Sequence, residues 1–378
     1  MQLKAGLALA GPALAAARAL GDRALLAEAH LRDGSLLQLS GERAAAEMAL
    51  SEAYFVAEST RSDATAAAAT IELVHGTGQQ STPGALQWAR HAQAQIDRLK
   101  EDGTSEAPDL EAALLNAIGT VRVHEGDHER AEVAFRRALE TRLSEAAPLK
   151  IAGLRNNLGN LLVRRGDLAG AQVQLDAASK IYRDELGHGH PSFAIALSNL
   201  GEVQMRRGQL EQALRSYTDA HTIMVDGLGP QHPNVGIVLN NLGDVRQRQG
   251  QAAAAEQDYT RAVAIFSATF GADAPPLAYP LTGLGELLLA QDRRPEALVQ
   301  LERALTLRDA GSPTDLARTR FALARALWPD EVTRKRAQDL AGLARDDLRT
   351  AGPAASHELG EVEAWFTAHP PVDAPPKH

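Results

Sequence analysis

Residues 155–166 read Arg-Asn-Asn-Leu-Gly-Asn-Leu-Leu-Val-Arg-Arg-Gly. Residues 197–208 read Leu-Ser-Asn-Leu-Gly-Glu-Val-Gln-Met-Arg-Arg-Gly, and residues 239–250 read Leu-Asn-Asn-Leu-Gly-Asp-Val-Arg-Gln-Arg-Gln-Gly. The Leu-Gly pair returns as Leu158-Gly159, Leu200-Gly201, Leu242-Gly243 and Leu284-Gly285, a period of 42 residues. A fixed period of this size marks a helical solenoid, whose repeats bury their apolar faces only against their neighbours. Function is then expected on a long surface rather than in a closed pocket.

Working outward, each column of the repeat has a physical task. Seven residues past the Leu-Gly glycine come Gly166, Gly208 and Gly250, with Asp292 in the last copy. Glycine there supplies the left-handed backbone that ends a helix. Ala171, Ala213, Ala255 and Ala297 follow, then the bulky Leu175, Tyr217, Tyr259 and Leu301, then Ala178, Ala220, Ala262 and Ala304. Steps of three and four residues place these on one face of a second helix. Small residues let two helices approach, and the bulky one fills the space between them. His190-Pro191, His232-Pro233 and Ala274-Pro275 punctuate the linkers, where proline fits the first helical turn and interrupts the preceding helix.

Weaker copies flank these. Gly119, Gly126, Ala131, Phe135 and Ala138 keep the spacing, as do Gly34, Gly41, Ala46, Leu50 and Ala53. Residues 63–100 read as a helix, a glycine-rich turn from Gly76 to Gly84, and a helix carrying Ala85, Ala89 and Ala92. Pro313–Trp328 and Val332–Arg349 form a further pair. Glu358–Ala368, with Leu359, Val362, Trp365 and Phe366 on one side, reads as a capping helix. The expected fold is all-α, a right-handed superhelix (α-solenoid) of about eight helical hairpins plus that cap. The expected divisions are divergent hairpins over 1–108, regular repeats over 109–310 starting near 109, 150, 192, 234 and 276, a terminal hairpin and cap over 311–370, and a disordered tail over 371–378.

Leu-Gly in the first helix with Ala-x3-Tyr-x2-Ala in the second resembles the tetratricopeptide repeat (TPR). The 42-residue version with Leu-Asn-Asn-Leu-Gly and Leu-Gly-x-x-His-Pro is similar to kinesin-light-chain repeats. Residues 10–370 as a whole resemble the C-terminal TPR half of large bacterial Ser/Thr protein kinases of the myxobacterial type. The resemblance implies a concave face lined by the first helix of each repeat, at positions two before the Leu, two after it and six after it. Carried onto this chain, these are Asn116, Asn156, Ser198, Asn240 and Thr282; then Thr120, Asn160, Glu202, Asp244 and Glu286; then His124, Arg164, Arg206, Arg248 and Ala290. An Asn amide can both donate to and accept from a peptide backbone, and a row of arginines suits carboxylates or phosphates. The competing reading makes the asparagines helix-bridging groups and the charges a solvated face. Asn157, Asn199 and Asn241, one position later, suit the bridging task.

Composition narrows the classes. With 44% hydrophobic residues but 4% aromatic, Ala and Leu dominate the apolar share, which favours close helix packing over sheet. The 378-residue chain has no cysteine, which excludes disulfides and thiolate chemistry and agrees with a cytoplasmic location. A net charge of −9 argues against nucleic acid as partner. No stretch reaches about 18 consecutive apolar residues, so no membrane span is expected. Met1 to Ala17 has one lysine, a short apolar run and an Ala-x-Ala ending. It reads either as a weak signal peptide or as a repeat helix broken at Gly11-Pro12.

His124-Glu125-Gly126-Asp127-His128 spells H-E-x-x-H, which binds zinc only on one continuous helix. Gly126 is in register with the turn glycines, so the histidines are expected on two helices. A metallopeptidase is thus a remote alternative. His188-Gly-His190 falls in a linker, and Gly76-Thr-Gly-Gln-Gln-Ser-Thr lacks the lysine of a phosphate loop. None of the kinase motifs occurs. The function expected is a non-catalytic scaffold that binds an extended peptide or partner protein, without cofactor or metal, as part of a bacterial signalling protein. The alternative is a regulatory module that switches conformation on binding a peptide. The chain is expected to be a monomer, or a weak homodimer through its terminal helices.

Overall fold

The computed structural model describes residues 2–78, 82–142, 147–308 and 313–369. Among these residues the fold is all-α, with no strand. In chain order the helices are α1 (Gln2–Leu20), α2 (Arg23–Ser40), α3 (Arg43–Thr60), α4 (Asp63–Gly78), α5 (Thr82–Glu101), α6 (Ala107–His124), α7 (His128–Arg142), α8 (Pro148–Arg164) and α9 (Leu168–Leu186). Then come α10 (Pro191–Arg206), α11 (Leu210–Leu228), α12 (Pro233–Arg248), α13 (Ala252–Phe270), α14 (Ala278–Ala290), α15 (Arg294–Leu307), α16 (Pro313–Leu327), α17 (Arg334–Ala351) and α18 (Ser356–Ala368). The pairs from α2–α3 to α16–α17 are the eight hairpins, and α18 is the cap. Contacts divide the chain into two units, Met1–Leu161 and Leu162–His378.

Gly166, Gly208 and Gly250 close their first helices at φ of 81°, 73° and 73°. Their amides return to Val163, Met205 and Gln247, as a left-handed cap requires. Asp292 does the same with a side chain attached, at φ 60°. The His-Pro pairs do more than the sequence indicated. His190 Nδ1 accepts the Ser192 amide at 3.1 Å and His232 Nδ1 accepts the Asn234 amide at 3.2 Å. Each imidazole is thereby the N-cap of the helix that its proline begins. Ala274 cannot cap, and there a short 3-10 turn, Pro275–Leu277, precedes α14.

The column alanines Ala171, Ala213, Ala255, Ala297, Ala337 and Ala341 are wholly buried. The glycine seam recurs in both units. A Cβ at Gly34, Gly119 or Gly285 would lie 2.6 Å from Leu50 Cγ, 2.5 Å from Phe135 Cε1 and 2.5 Å from Leu301 Cγ. The cap also holds. Val362 is buried, and Leu359 and Phe366 pack with Ala317, Ala344 and Leu348.

Two expectations are corrected. The Gly76–Gly84 segment is not one turn: α4 runs through Gly76 to Gly78, and Gly84 lies inside α5. A Cβ on Gly78 would come within 2.4 Å of Val121 Cγ2, so this glycine serves the close approach of α4 and α6. Helix α1 also passes unbroken through Gly11-Pro12. Pro12 is exposed there, so water can take the carbonyl bond that the ring forfeits. The expected tail over 371–378 lies outside the described residues.

Candidate functional site

In the second unit, α10 approaches α12, α12 approaches α14, and α14 approaches α16. The first helices therefore form the inner layer. Tyr217 and Tyr259, from second helices, are wholly buried, and a buried phenol needs a partner for its hydroxyl. The Tyr259 hydroxyl donates to Asp244 Oδ1 at 2.8 Å and to Gln247 Oε1 at 2.9 Å, and the Tyr217 hydroxyl reaches Glu202 Oε2 at 3.5 Å. Burial first, then the adjacent carboxylates, push both hydroxyls well above the ordinary tyrosine range. The acidic column thus satisfies the tyrosines beneath it.

The remaining capacity of those carboxylates goes to arginine. Arg318, on α16, donates from Nε and Nη2 to Glu286 on α14, at 3.1 and 2.7 Å to Oε2. Its Nη2 also donates to Asp244 Oδ1 on α12 at 2.9 Å. Burial opposes its charge, but Asp244 and Glu286 outweigh that and hold its pKa well above the ordinary arginine value. Even so, 42% of its side-chain surface stays open. The guanidinium is thus tied to two first helices while part of it stays open to water. Sequence columns missed Arg318. The 2.9 Å bond between Thr282 and Thr319 fixes the register of α16. It aligns Ala322 with Gly285, 15 residues before Ala337 rather than the 12 separating Gly285 from Ala297. In that register Arg318 aligns with Leu281, one position before the first column, so no column contains it.

The arginine column lies entirely in the second unit. Arg164 and Arg248 end α8 and α12, are exposed, and have no ion pair among the described residues. Arg206 ends α10 and donates from Nε to Glu202 Oε1 at 2.6 Å. Burial works to lower its pKa, but Glu202, and farther off Glu358 and Asp315, raise it. Those last two carboxylates belong to α18 and α16.

The first column behaves otherwise. Asn116 Oδ1 accepts from Asn157 Nδ2 at 2.9 Å, tying α6 to α8 within the first unit. Ser198 is 7% exposed and Thr282 1% exposed. Thr282 bonds Thr319, and Arg308 Nη2 reaches both threonines at 3.3 and 3.2 Å. Asn240 Nδ2 donates to Asn241 at 3.3 Å, while its Oδ1 is buried without a partner. This column is the seam between successive first helices, and Ser198 is withdrawn from any ligand. Asn156 and Asn160 are half-buried on α8, in the first unit. Arg308, which also lies over the Tyr279 ring at 4.3 Å, belongs to the seam and was not legible in the columns.

The metal-like motifs resolve into turns. His124 ends α6, His128 begins α7, and Gly126 stands between them at φ 80°. Two imidazoles so placed do not share a helix face. His190 is spent as a cap, and the His188 ring meets Phe193 edge-on at 5.8 Å.

A family model of the tetratricopeptide repeat matches residues 150–224, 192–266 and 234–310. None of the curated proteins matches the chain. Among solved structures, the chain is similar to a Rap protein complexed with competence and sporulation factor, at 13% identity and a TM-score of 0.61, over 90% of this chain and 99% of that one. It is similar to the apo form of RapI at 13% identity and 0.58, over 91% and 99%. A putative kinesin light chain of Podosopora anserina with nearly identical TPR-like repeats matches at 21% identity and 0.43, over 55% and 100%. Residues 150–310 are thus tetratricopeptide repeats, and the flanking hairpins carry the same all-α repeat architecture through the rest of the described chain.

Proposed function

We propose that the second unit is a non-catalytic scaffold that holds an extended, carboxylate-bearing polypeptide along the inner faces of α10, α12, α14 and α16. The observation that carries this is the state of the charged columns. The acidic row Glu202, Asp244 and Glu286 is compensated from within by Arg206, Arg318 and the tyrosines, whereas Arg164 and Arg248 stay open. A groove whose acids are satisfied and whose arginines are available favours carboxylates. Repeats of this family are generally interaction scaffolds, and a place in a bacterial signalling protein is part of the same proposal.

A second reading, a peptide-sensing module that changes curvature on binding, is favoured by the Rap likeness. That Rap protein is described in complex with competence and sporulation factor, and the likeness of fold spans nine-tenths of the chain. An array of extended peptides of graded charge, probed with the full chain, tests the scaffold reading. Preferential retention of acidic peptides, lost at high salt, is the expected result. Retention without regard to charge would remove the arginine row from the account.

A further inference from the structure

We propose that Arg318 is a clasp that fixes the curvature of the second unit, and that a polypeptide entering the groove does so by releasing it. The binding half of this statement rests on the scaffold reading above. In a solenoid each repeat packs on its immediate neighbours, and the sum of those interfaces sets stability. Arg318 is different: one guanidinium bonds Glu286 on the neighbouring first helix and Asp244 on the next one beyond, 74 residues away in sequence. A tie that skips a repeat constrains the angle through which three successive first helices bend. It contributes little to whether each of them folds.

The tie is built to open. Arg318 is half-accessible, while Asp244 and Glu286 are 13% and 21% exposed at the side chain. The arginine can therefore swing into water while the acids stay in place. On release Asp244 keeps the Tyr259 hydroxyl, so the rest of the floor remains ordered. The freed guanidinium then joins Arg164 and Arg248 as a donor for ligand carboxylates. Closed, the same side chain lies across the floor that an extended chain must occupy.

The sequence contains no cysteine, so paired spin labels can be introduced directly. Ile237→Cys on α12 and Leu343→Cys on α17, both exposed, report the distance across the clasp in the full chain. Arg318→Ala should lengthen and broaden that distance. In the otherwise native labelled chain, about 1 M salt, where the screening length is about 3 Å, should do the same, and should add nothing in Arg318→Ala. Asp244→Asn with Glu286→Gln should reproduce the opening by removing the acceptors, which keeps the test decisive if Arg318→Ala folds poorly. Unchanged distances under all three perturbations would overturn the clasp. An acidic dodecapeptide should bind the chain carrying Asp244→Asn with Glu286→Gln, which frees the guanidinium and keeps it, several-fold more tightly, and should shift the native distance towards the open one. Opening with equal or weaker peptide binding would overturn the release step. Opening with no peptide bound by either protein would instead overturn the scaffold reading and leave the tie standing.

Discussion

The Tyr259 ring rests where a side chain on Gly243 would begin: a Cβ there would lie 2.5 Å from Tyr259 Cε1. Gly283, on the next first helix, stands equally close to the same ring. The tyrosine is thus seated between two glycines, and that depth brings its hydroxyl up to Asp244. Gly243→Ala should destabilise the chain by about 1–3 kcal/mol through overpacking, measured by urea unfolding. Tyr259→Leu combined with Gly243→Ala should recover part of the loss. An unaltered midpoint for the single substitution would mean that the seam is looser than described.

Asp292 holds a positive φ that the other three turns give to glycine. Left-handed backbone costs a residue with a Cβ about 1 kcal/mol or more. Asp292→Gly should therefore stabilise the chain by about 1 kcal/mol, read as a raised denaturation midpoint. Gly250→Ala should cost a comparable amount, since its site is open and only the backbone objects. A loss of stability in Asp292→Gly would show that the aspartate contributes something beyond the turn.

His30 is 8% exposed, and its Nδ1 has no partner. Burial, and secondarily Arg18, lower its pKa below the ordinary 6.5. His75 and His221 are lowered by burial as well. Between the folded value and 6.5 the unfolded chain binds more protons, so stability rises with pH there. The contribution is complete above about 6.5 and is lost as pH falls through that window. His30→Leu should flatten the dependence between about pH 7 and pH 5 relative to the unsubstituted chain. An identical slope in both would show that His30 titrates normally.

The 42-residue period made the hairpins, their glycine turns and the cap legible, because each column has one physical task repeated under the same constraint. Where a residue's task changes, the columns mislead. Gly76 and Gly78 look like a turn, yet Gly78 clears Val121 inside a helix. Asn116, Ser198 and Asn240 sit in one column, but their surroundings turn it into a seam between helices. Glu202, Asp244 and Glu286 recur in one column and Arg164, Arg206 and Arg248 in another. Their pairing with Arg318 is not legible, because that residue aligns with Leu281, one position before the first column. The imidazole caps were missed because His-Pro was read for its proline.

An Ala-to-Leu exchange separates scaffold from surface. Ala213 and Ala255 have no exposed surface, so Ala213→Leu or Ala255→Leu should cost about 1–3 kcal/mol. Val173→Ala, at a side chain 63% exposed on α9, should be nearly neutral. Thermal melts of the three proteins decide this, and equal melting temperatures would contradict the assigned packing.

The most direct test of the account is the affinity of the best acidic array peptide for the full chain and for Arg164→Ala/Arg248→Ala, by titration calorimetry with Val173→Ala as control. Loss of two charge-assisted contacts should weaken binding roughly tenfold or more, with the melting temperature unchanged and the control unaffected. Equal affinity for all three proteins would place the peptide elsewhere and contradict the proposal that the arginine row of the second unit binds it.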